Sequence, residues 1–308
     1  MKTICLLLVV CISIFIFNAC ETTEKIDDFP LRPSQLVINC FFTQDSTWEF
    51  QVSKSLSVLD NADLKFINNA TIKLFKDSAL IETITEQDAD SWYRSDNNLP
   101  EMGAEYSIEV SSPDFGKTLL AKEYTPQAVT VSNVSVVLTD SSYYEGINYD
   151  GRRYYGGNVE GNFNILFTDP TIIDNYYQLS IFYNDTIYSQ DSLEYDLYRY
   201  ELPISSDDGA IQNDGDNPAR LLLTDNIFDG QDYQLKVNFN DWRARRGKTY
   251  YIELISLNRS GYLYRKSIDD YNQARNDPFA EPVMVYCNIE NGYGIFSGYS
   301  TDTYMVTF

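Results

Sequence analysis

Alternation of apolar and polar residues with a period of two runs along most of this chain, and it restricts the fold more than any other feature. Successive side chains of a strand point to opposite faces, so this period marks half-buried antiparallel strands. Leu36, Ile38, Cys40 and Phe42 fall on one face. Trp48, Phe50 and Val52 alternate with Glu49, Gln51 and Ser53, and Ile72 and Leu74 follow. Tyr106, Ile108 and Val110 continue the series to Pro113. Beyond Pro126 a second series starts with Val129 and Val131, then Val134, Val136 and Leu138. It goes on through Phe163, Ile165 and Phe167; Tyr177, Leu179, Ile181 and Tyr183; Tyr233, Leu235, Val237 and Phe239; and Tyr250, Ile252 and Leu254. Many short strands separated by turn residues predict a mainly β protein built of sandwiches. The break at Pro126 places one sandwich over 34–126 and a second, in tandem, over 127–308.

An internal echo links the two halves. Gly103-Ala-Glu-Tyr106-Ser-Ile108-Glu-Val110 resembles Gly247-Lys-Thr-Tyr250-Tyr-Ile252-Glu-Leu254. In each, a Gly turn feeds a Tyr that opens an alternating strand. This looks like the corner of immunoglobulin-like and fibronectin-III-like domains, where a Tyr hydroxyl ties turn to strand. Among 25 Tyr, two such matches also arise by chance. One stretch of the second half changes period: Tyr264, Ile268 and Tyr271 fall at helical spacing. They predict a helix over about 260–276, capped by Ser260 and ended by Asp277-Pro278. Its stripe is a face docked on the second sandwich or, alternatively, one that lines a ligand.

Two connections are long. Ser141–Gly157 combines Tyr143, Tyr144, Tyr149, Tyr154 and Tyr155 with Arg152 and Arg153. Tyr and Arg anchor recognition surfaces, so this segment is either a binding loop or a long hairpin packed on its own sheet. Ser205–Arg220 carries Asp207, Asp208, Asp214 and Asp216, which are hard oxygen ligands without the spacing of a calcium loop. A solvated acidic turn is expected there, with no metal. Trp242-Arg243-Ala-Arg245-Arg246 forms a basic spot at a strand-to-strand turn.

The N-terminus reads as a targeting segment. Lys2 precedes an apolar run from Ile4 to Phe17, broken only by Ser13. A transmembrane helix needs about 20 such residues, whereas a secretory signal needs fewer. Residues 1–19 are therefore expected to be a signal peptide, with Ala19 before Cys20, the lipid-modified first residue of the mature chain. Phe17 and Asn18 fit the lipobox loosely, and an uncleaved anchor or buried strand is the alternative. Residues 20–33 form a polar tether led by Glu21, Glu24, Asp27 and Asp28. This acidic stretch resembles the surface-export signal of Bacteroidota lipoproteins, and it also reads as a generic linker.

Charge and composition narrow the function. With 23 basic and 45 acidic residues the chain carries a net charge of −22, which repels nucleic-acid phosphates and anionic headgroups. The acids are dispersed among aromatic and β-branched residues, so they form a solvated surface and not a disordered tract. There is no His, which removes Ser–His–Asp and Cys–His nucleophiles and every His-ligated metal site. Paired-carboxylate hydrolysis needs no His, but no spacing here points to such a pair. No catalytic residue and no cofactor is expected. Cys5 and Cys11 leave with the signal, and Cys20 carries lipid. Cys40 and Cys287 remain, either paired in an oxidising compartment or separately buried as small apolar side chains.

The C-terminal stretch is the most specific. Asn276-Asp-Pro-Phe279-Ala-Glu281-Pro282-Val-Met-Val-Tyr286-Cys-Asn288-Ile-Glu-Asn291-Gly292-Tyr-Gly294-Ile-Phe296 resembles the closing motif of a Bacteroidota family called domain of unknown function 4249. Leu36–Phe42, Val52-Ser-Lys54-Ser and Asn69–Thr71 resemble its opening, so the resemblance spans the mature chain. Gly292, Gly294 and Gly298 permit turns or close backbone approach, and Asn288 and Asn291 can satisfy turn amides. The motif therefore predicts a structured crossover before the last strands. Small residues are common in the family where Cys40 and Cys287 stand, which favours their pairing. The resemblance implies an outer-membrane lipoprotein, a partner of a TonB-dependent β-barrel transporter, exposed at the cell surface. A stand-alone adhesin or glycan-binding protein is the competing expectation.

Overall fold

The computed structural model describes residues 33–57, 63–95, 98–147, 153–171, 174–188, 195–212, 219–277 and 279–308. The expected signal peptide, Cys20 and all but the last residue of the tether lie outside these. The strands are β1 (Leu36–Phe42), β2 (Glu49–Lys54), β3 (Thr71–Lys76), β4 (Ala79–Ile84), β5 (Tyr93–Arg94), β6 (Glu105–Ser111), β7 (Leu119–Tyr124), β8 (Val131–Ile147), β9 (Arg153–Thr168), β10 (Tyr176–Tyr188), β11 (Tyr195–Glu201), β12 (Ile204–Ser205), β13 (Arg220–Thr224), β14 (Asp232–Asp241), β15 (Thr249–Leu257) and β16 (Tyr293–Thr307). A helix, α1 (Arg259–Asn276), lies between β15 and β16. The protein is mainly β, as the alternation requires. No helix among the described residues is long and apolar enough to cross a membrane.

The strands form three sheets. The largest runs β11-β10-β15-β16-β1-β2-β5, with β13 also on β10; the others run β12-β14-β9-β8 and β4-β3-β6-β7. Two cores lie between their faces. In the first, Leu36, Ile38, Phe42, Trp48, Phe50 and Val52 meet Ile72, Leu74, Tyr106, Ile108 and Val110. In the second, Phe163, Ile165, Phe167, Leu235 and Val237 meet Tyr177, Leu179, Ile181, Tyr250, Ile252 and Leu254. Almost every alternating stripe in the sequence thus faces a core. Leu138 is an exception, 42% exposed at the end of the first regular stretch of β8–β9 pairing, whose register shifts between Leu138 and Asp140.

The expected division at Pro126 needs a correction. Strand β16 pairs parallel with β1 from Tyr293 to Gly298, then antiparallel with β15 from Tyr299 to Thr307. Phe296 and Ile289 lie in the first core, although they fall in the range assigned to the second half. One strand therefore serves both cores. Gly294 makes the parallel pairing possible: its φ is 116°, and a Cβ there would lie 1.9 Å from Ile38 O.

The helix spans the expected residues, but its cap is Asn258 and not Ser260. Asn258 Oδ1 accepts from Gly261 N–H and from Ser297 Oγ, both at 2.8 Å. Its Nδ2 donates to Glu123 Oε2 at 2.9 Å and Tyr124 O at 3.3 Å. This fully buried amide thus joins β7, α1 and β16. The docked residue of the helix is Tyr262, packed with Leu222, Ile255 and Leu257. Of the predicted stripe, Tyr264 and Ile268 line a cleft and Tyr271 is 41% exposed.

Candidate functional site

The Tyr-rich segment is the far end of a hairpin. Strands β8 and β9 pair without a break from Ser141–Val159 to Ile147–Arg153. Strand β14 covers β9 only as far as Val159, so the last turns of the ribbon extend alone. An isolated two-stranded ribbon is marginal in water. Here the β14–β15 turn supports it. A Cβ on Gly157 would lie 2.5 Å from Ser142 O, so the ribbon itself requires Gly there, and 3.1 Å from Ala244 O, which shows how closely the turn approaches. The Tyr144 ring lies over Gly156 in the same way.

Ribbon and turn enclose a cleft of about 490 Å³, lined by Tyr143, Tyr144, Glu145, Tyr155, Gly156, Arg245 and Arg246. The Arg246 guanidinium sits 5.2 Å from the Tyr143 ring centroid. Tyr144 and Tyr155 are 56% and 63% exposed, an unusual degree for aromatic residues. Beside the cleft, Arg243 stacks over Trp242 at 4.2 Å. The structure thus brings the Tyr segment and the basic spot together, a convergence that local sequence does not reveal. Tyr149 and Arg152 lie outside the described residues. Arg153 and Tyr154 are placed through their backbones, opposite Ile147 and Gly146.

Buried polar groups hold the turn. Lys248, only 5% exposed, donates from Nζ to Asp241 Oδ2 at 2.6 Å and to Arg243 O at 3.2 Å. Tyr250 donates its hydroxyl to the same carboxylate oxygen at 2.7 Å. Burial pushes the Lys248 amine below its ordinary value although Asp241 pulls it up. Burial, then the hydrogen bond to Asp241, pushes the Tyr250 phenol up. Arg245 reaches Asp185 at 2.5 Å.

The other predicted residues fall elsewhere. Cys40 and Cys287 are free thiols, so the candidate disulfide is not formed. Both belong to the first core, and Cys287 Sγ lies 3.8 Å from the carbonyls of Ile289 and Gly292 within its own turn. Burial pushes the Cys40 thiol well up, which makes it an inert packing group. Asp208 accepts from Tyr233 and from Ala210 N–H, while Asp214 and Asp216 lie outside the described residues. A different acidic group, Asp169, Asp225 and Asp229, brings oxygens within 4.8 Å of one another and could hold a hard cation. Three of those oxygens are already engaged: Asp169 accepts from Tyr177 and Gly230, and Asp225 from Asn175.

The C-terminal motif divides in two. Phe279 is 94% exposed, and Glu281 and Pro282 are exposed beside it. Tyr286 N–H donates to Ser267 Oγ on α1 at 2.8 Å. Asn288 accepts from Phe296 N–H at 3.0 Å and donates to Phe296 O at 2.7 Å, folding the crossover into a closed loop. Asn291, at φ 65°, donates to Thr118 O at 3.1 Å. The second part of the motif is thus a packing device. No curated protein matches the chain. A family model described as a domain of unknown function, DUF4249, matches residues 21–305. The motif that closes β16 onto β1 therefore belongs to a family signature that covers nearly the whole chain, and this protein is a member of the DUF4249 family.

Proposed function

We propose that this chain is a non-enzymatic lipoprotein of the outer membrane, anchored through Cys20 and exposed at the cell surface, where it assists a TonB-dependent β-barrel transporter by capturing ligand or capping the barrel. Its two cores are then immunoglobulin-like or fibronectin-III-like sandwiches joined by β16. The cleft between ribbon and turn is the partner surface. The observation that carries this is the pairing of solvent-exposed Tyr144 and Tyr155 with Arg245 and Arg246 on a rigidly supported arm. Exposed tyrosines on a held backbone offer a large contact area for two side-chain torsions, and Arg adds a planar charged fork, which is why both anchor interfaces. The apolar run before Cys20 and the acidic residues after it support the location. Affinity purification of the native chain from detergent-solubilised outer membrane tests the reading. Recovery of a β-barrel is expected, and repeated recovery of the chain alone contradicts it. The same exposed aromatics favour one competing function, a glycan-binding adhesin. A specific glycan-array signal that disappears in Tyr144→Ala/Tyr155→Ala, together with no barrel partner, decides for it.

A further inference from the structure

A second cleft, of about 460 Å³, opens beneath α1 where β16 passes from one core to the other. Phe41, Tyr264, Tyr299 and Ile255 supply its apolar wall, and Arg220, Glu253 and Arg265 its charges. Two of those three charges are engaged in ion pairs. Glu253 receives both terminal nitrogens of Arg199, at 2.8 and 3.1 Å. Arg220 is paired with Asp269 at 2.5 Å. Arg265 forms no ion pair among the described residues: its Nη1 donates to the neutral amide of Gln178 at 2.6 Å, and its Cζ lies 5.5 Å from the Phe41 ring centroid. Burial, and then the neighbouring Arg220, lower its guanidinium to about 10 against the weaker pull of Tyr299, Glu253 and Asp269. No carboxylate is bonded to this partly buried guanidinium, and it retains further N–H donors in a planar fork that matches a carboxylate.

We propose that this cleft binds a small organic carboxylate, its oxygens on Arg265 and its apolar body against Phe41, Tyr264 and Tyr299. The volume suits a small molecule. The site is independent of the ribbon cleft and of any barrel partner. Calorimetric titration of the full chain in detergent tests it with 3-phenylpropanoate, its neutral amide and inorganic phosphate. Saturable binding of the carboxylate is expected, with the amide and phosphate weaker by about tenfold or more, as loss of a charge-assisted bidentate contact implies. Arg265→Gln should abolish binding, and Lys266→Gln, one residue along the helix and outside the cleft wall, should leave it intact. No saturable heat with the carboxylate, equal binding of amide or phosphate, or unchanged binding in Arg265→Gln overturns the proposal. The amide comparison needs no variant, so it decides even if Arg265→Gln does not fold. Because no barrel is present, failure here leaves the transporter proposal untouched.

Discussion

Gly103 and Gly247 open turns of matching sequence with the same φ of 74°, yet the tyrosine three residues on from each is held differently. Tyr106 accepts the backbone N–H of Glu101 at 2.7 Å, which closes its turn on the main chain. Tyr250 donates to Asp241, which also holds the buried Lys248. At the first turn the tyrosine hydroxyl binds the backbone, beside main-chain bonds such as Ala104 N–H to Glu101 O at 3.2 Å. At the second turn the hydroxyl and the Lys248 amine, nine and seven residues along the chain from Asp241, bind that one carboxylate, and the segment enclosed carries Trp242, Arg243, Arg245 and Arg246. The same local signal thus gives a plain corner in one half and a platform in the other.

The comparison breaks most sharply at Asp241. Asp241→Ala leaves Lys248 buried without its counter-charge, so a loss of about 3–5 kcal/mol is expected in urea unfolding. Adding Lys248→Met should restore much of it, since an apolar replacement of both partners avoids the stranded charge. The intermediate effects compare the tyrosines directly. Tyr250→Phe should cost about 2 kcal/mol, because its bond is to a charged acceptor, and Tyr106→Phe about 1 kcal/mol. Equal losses would mean that the two corners are energetically alike.

An effect of pH sharpens the contrast. Burial raises both phenols above their ordinary 10.0, Tyr250 with the further push of the Asp241 carboxylate. A raised value gives stability that is complete below pH 10.0 and is lost as the pH climbs through the raised value. Lys248 works in the opposite sense: its value is lowered from 10.5, so its penalty applies while it is charged and fades as the pH rises toward 10.5. Alkaline unfolding followed above pH 10 should therefore be blunted in Tyr250→Phe and less so in Tyr106→Phe. The reverse order would place the stronger coupling at the first corner.

Much of this fold is legible in sequence because burial on one face of a strand writes a period of two. The stripes around Phe163, Tyr177 and Leu235 needed no partner to be recognised, and the helix over 259–276 announced itself through spacing. Partners are not written locally. Nothing in Tyr293–Thr307 shows that its first half pairs with a strand some 250 residues earlier, because neither the backbone ladder nor the packing of Phe296 on Phe42 names its partner locally. Ser260 and Asn258, two positions apart, are both good caps, and tertiary bonds to Glu123 and Ser297 select Asn258. The ribbon cleft was half visible: its Tyr residues stood out, but Arg245 and Arg246 reach it only through the turn that Asp241 and Lys248 hold. Arg265 was missed because helical periodicity draws attention to Tyr264 and Ile268, and a charge between them reads as a solvated face.

In the proposed assembly the second turn and the ribbon together form the partner surface. Photo-crosslinking in intact cells tests it most directly, with the reactive residue placed at Tyr144, Tyr155 or, as a control in the first half, at Leu80, which is 54% exposed. Crosslinks from Tyr144 and Tyr155 to a β-barrel protein, and none from Leu80, are the predicted result. Crosslinks to a barrel from Leu80 but from neither Tyr144 nor Tyr155 would contradict it.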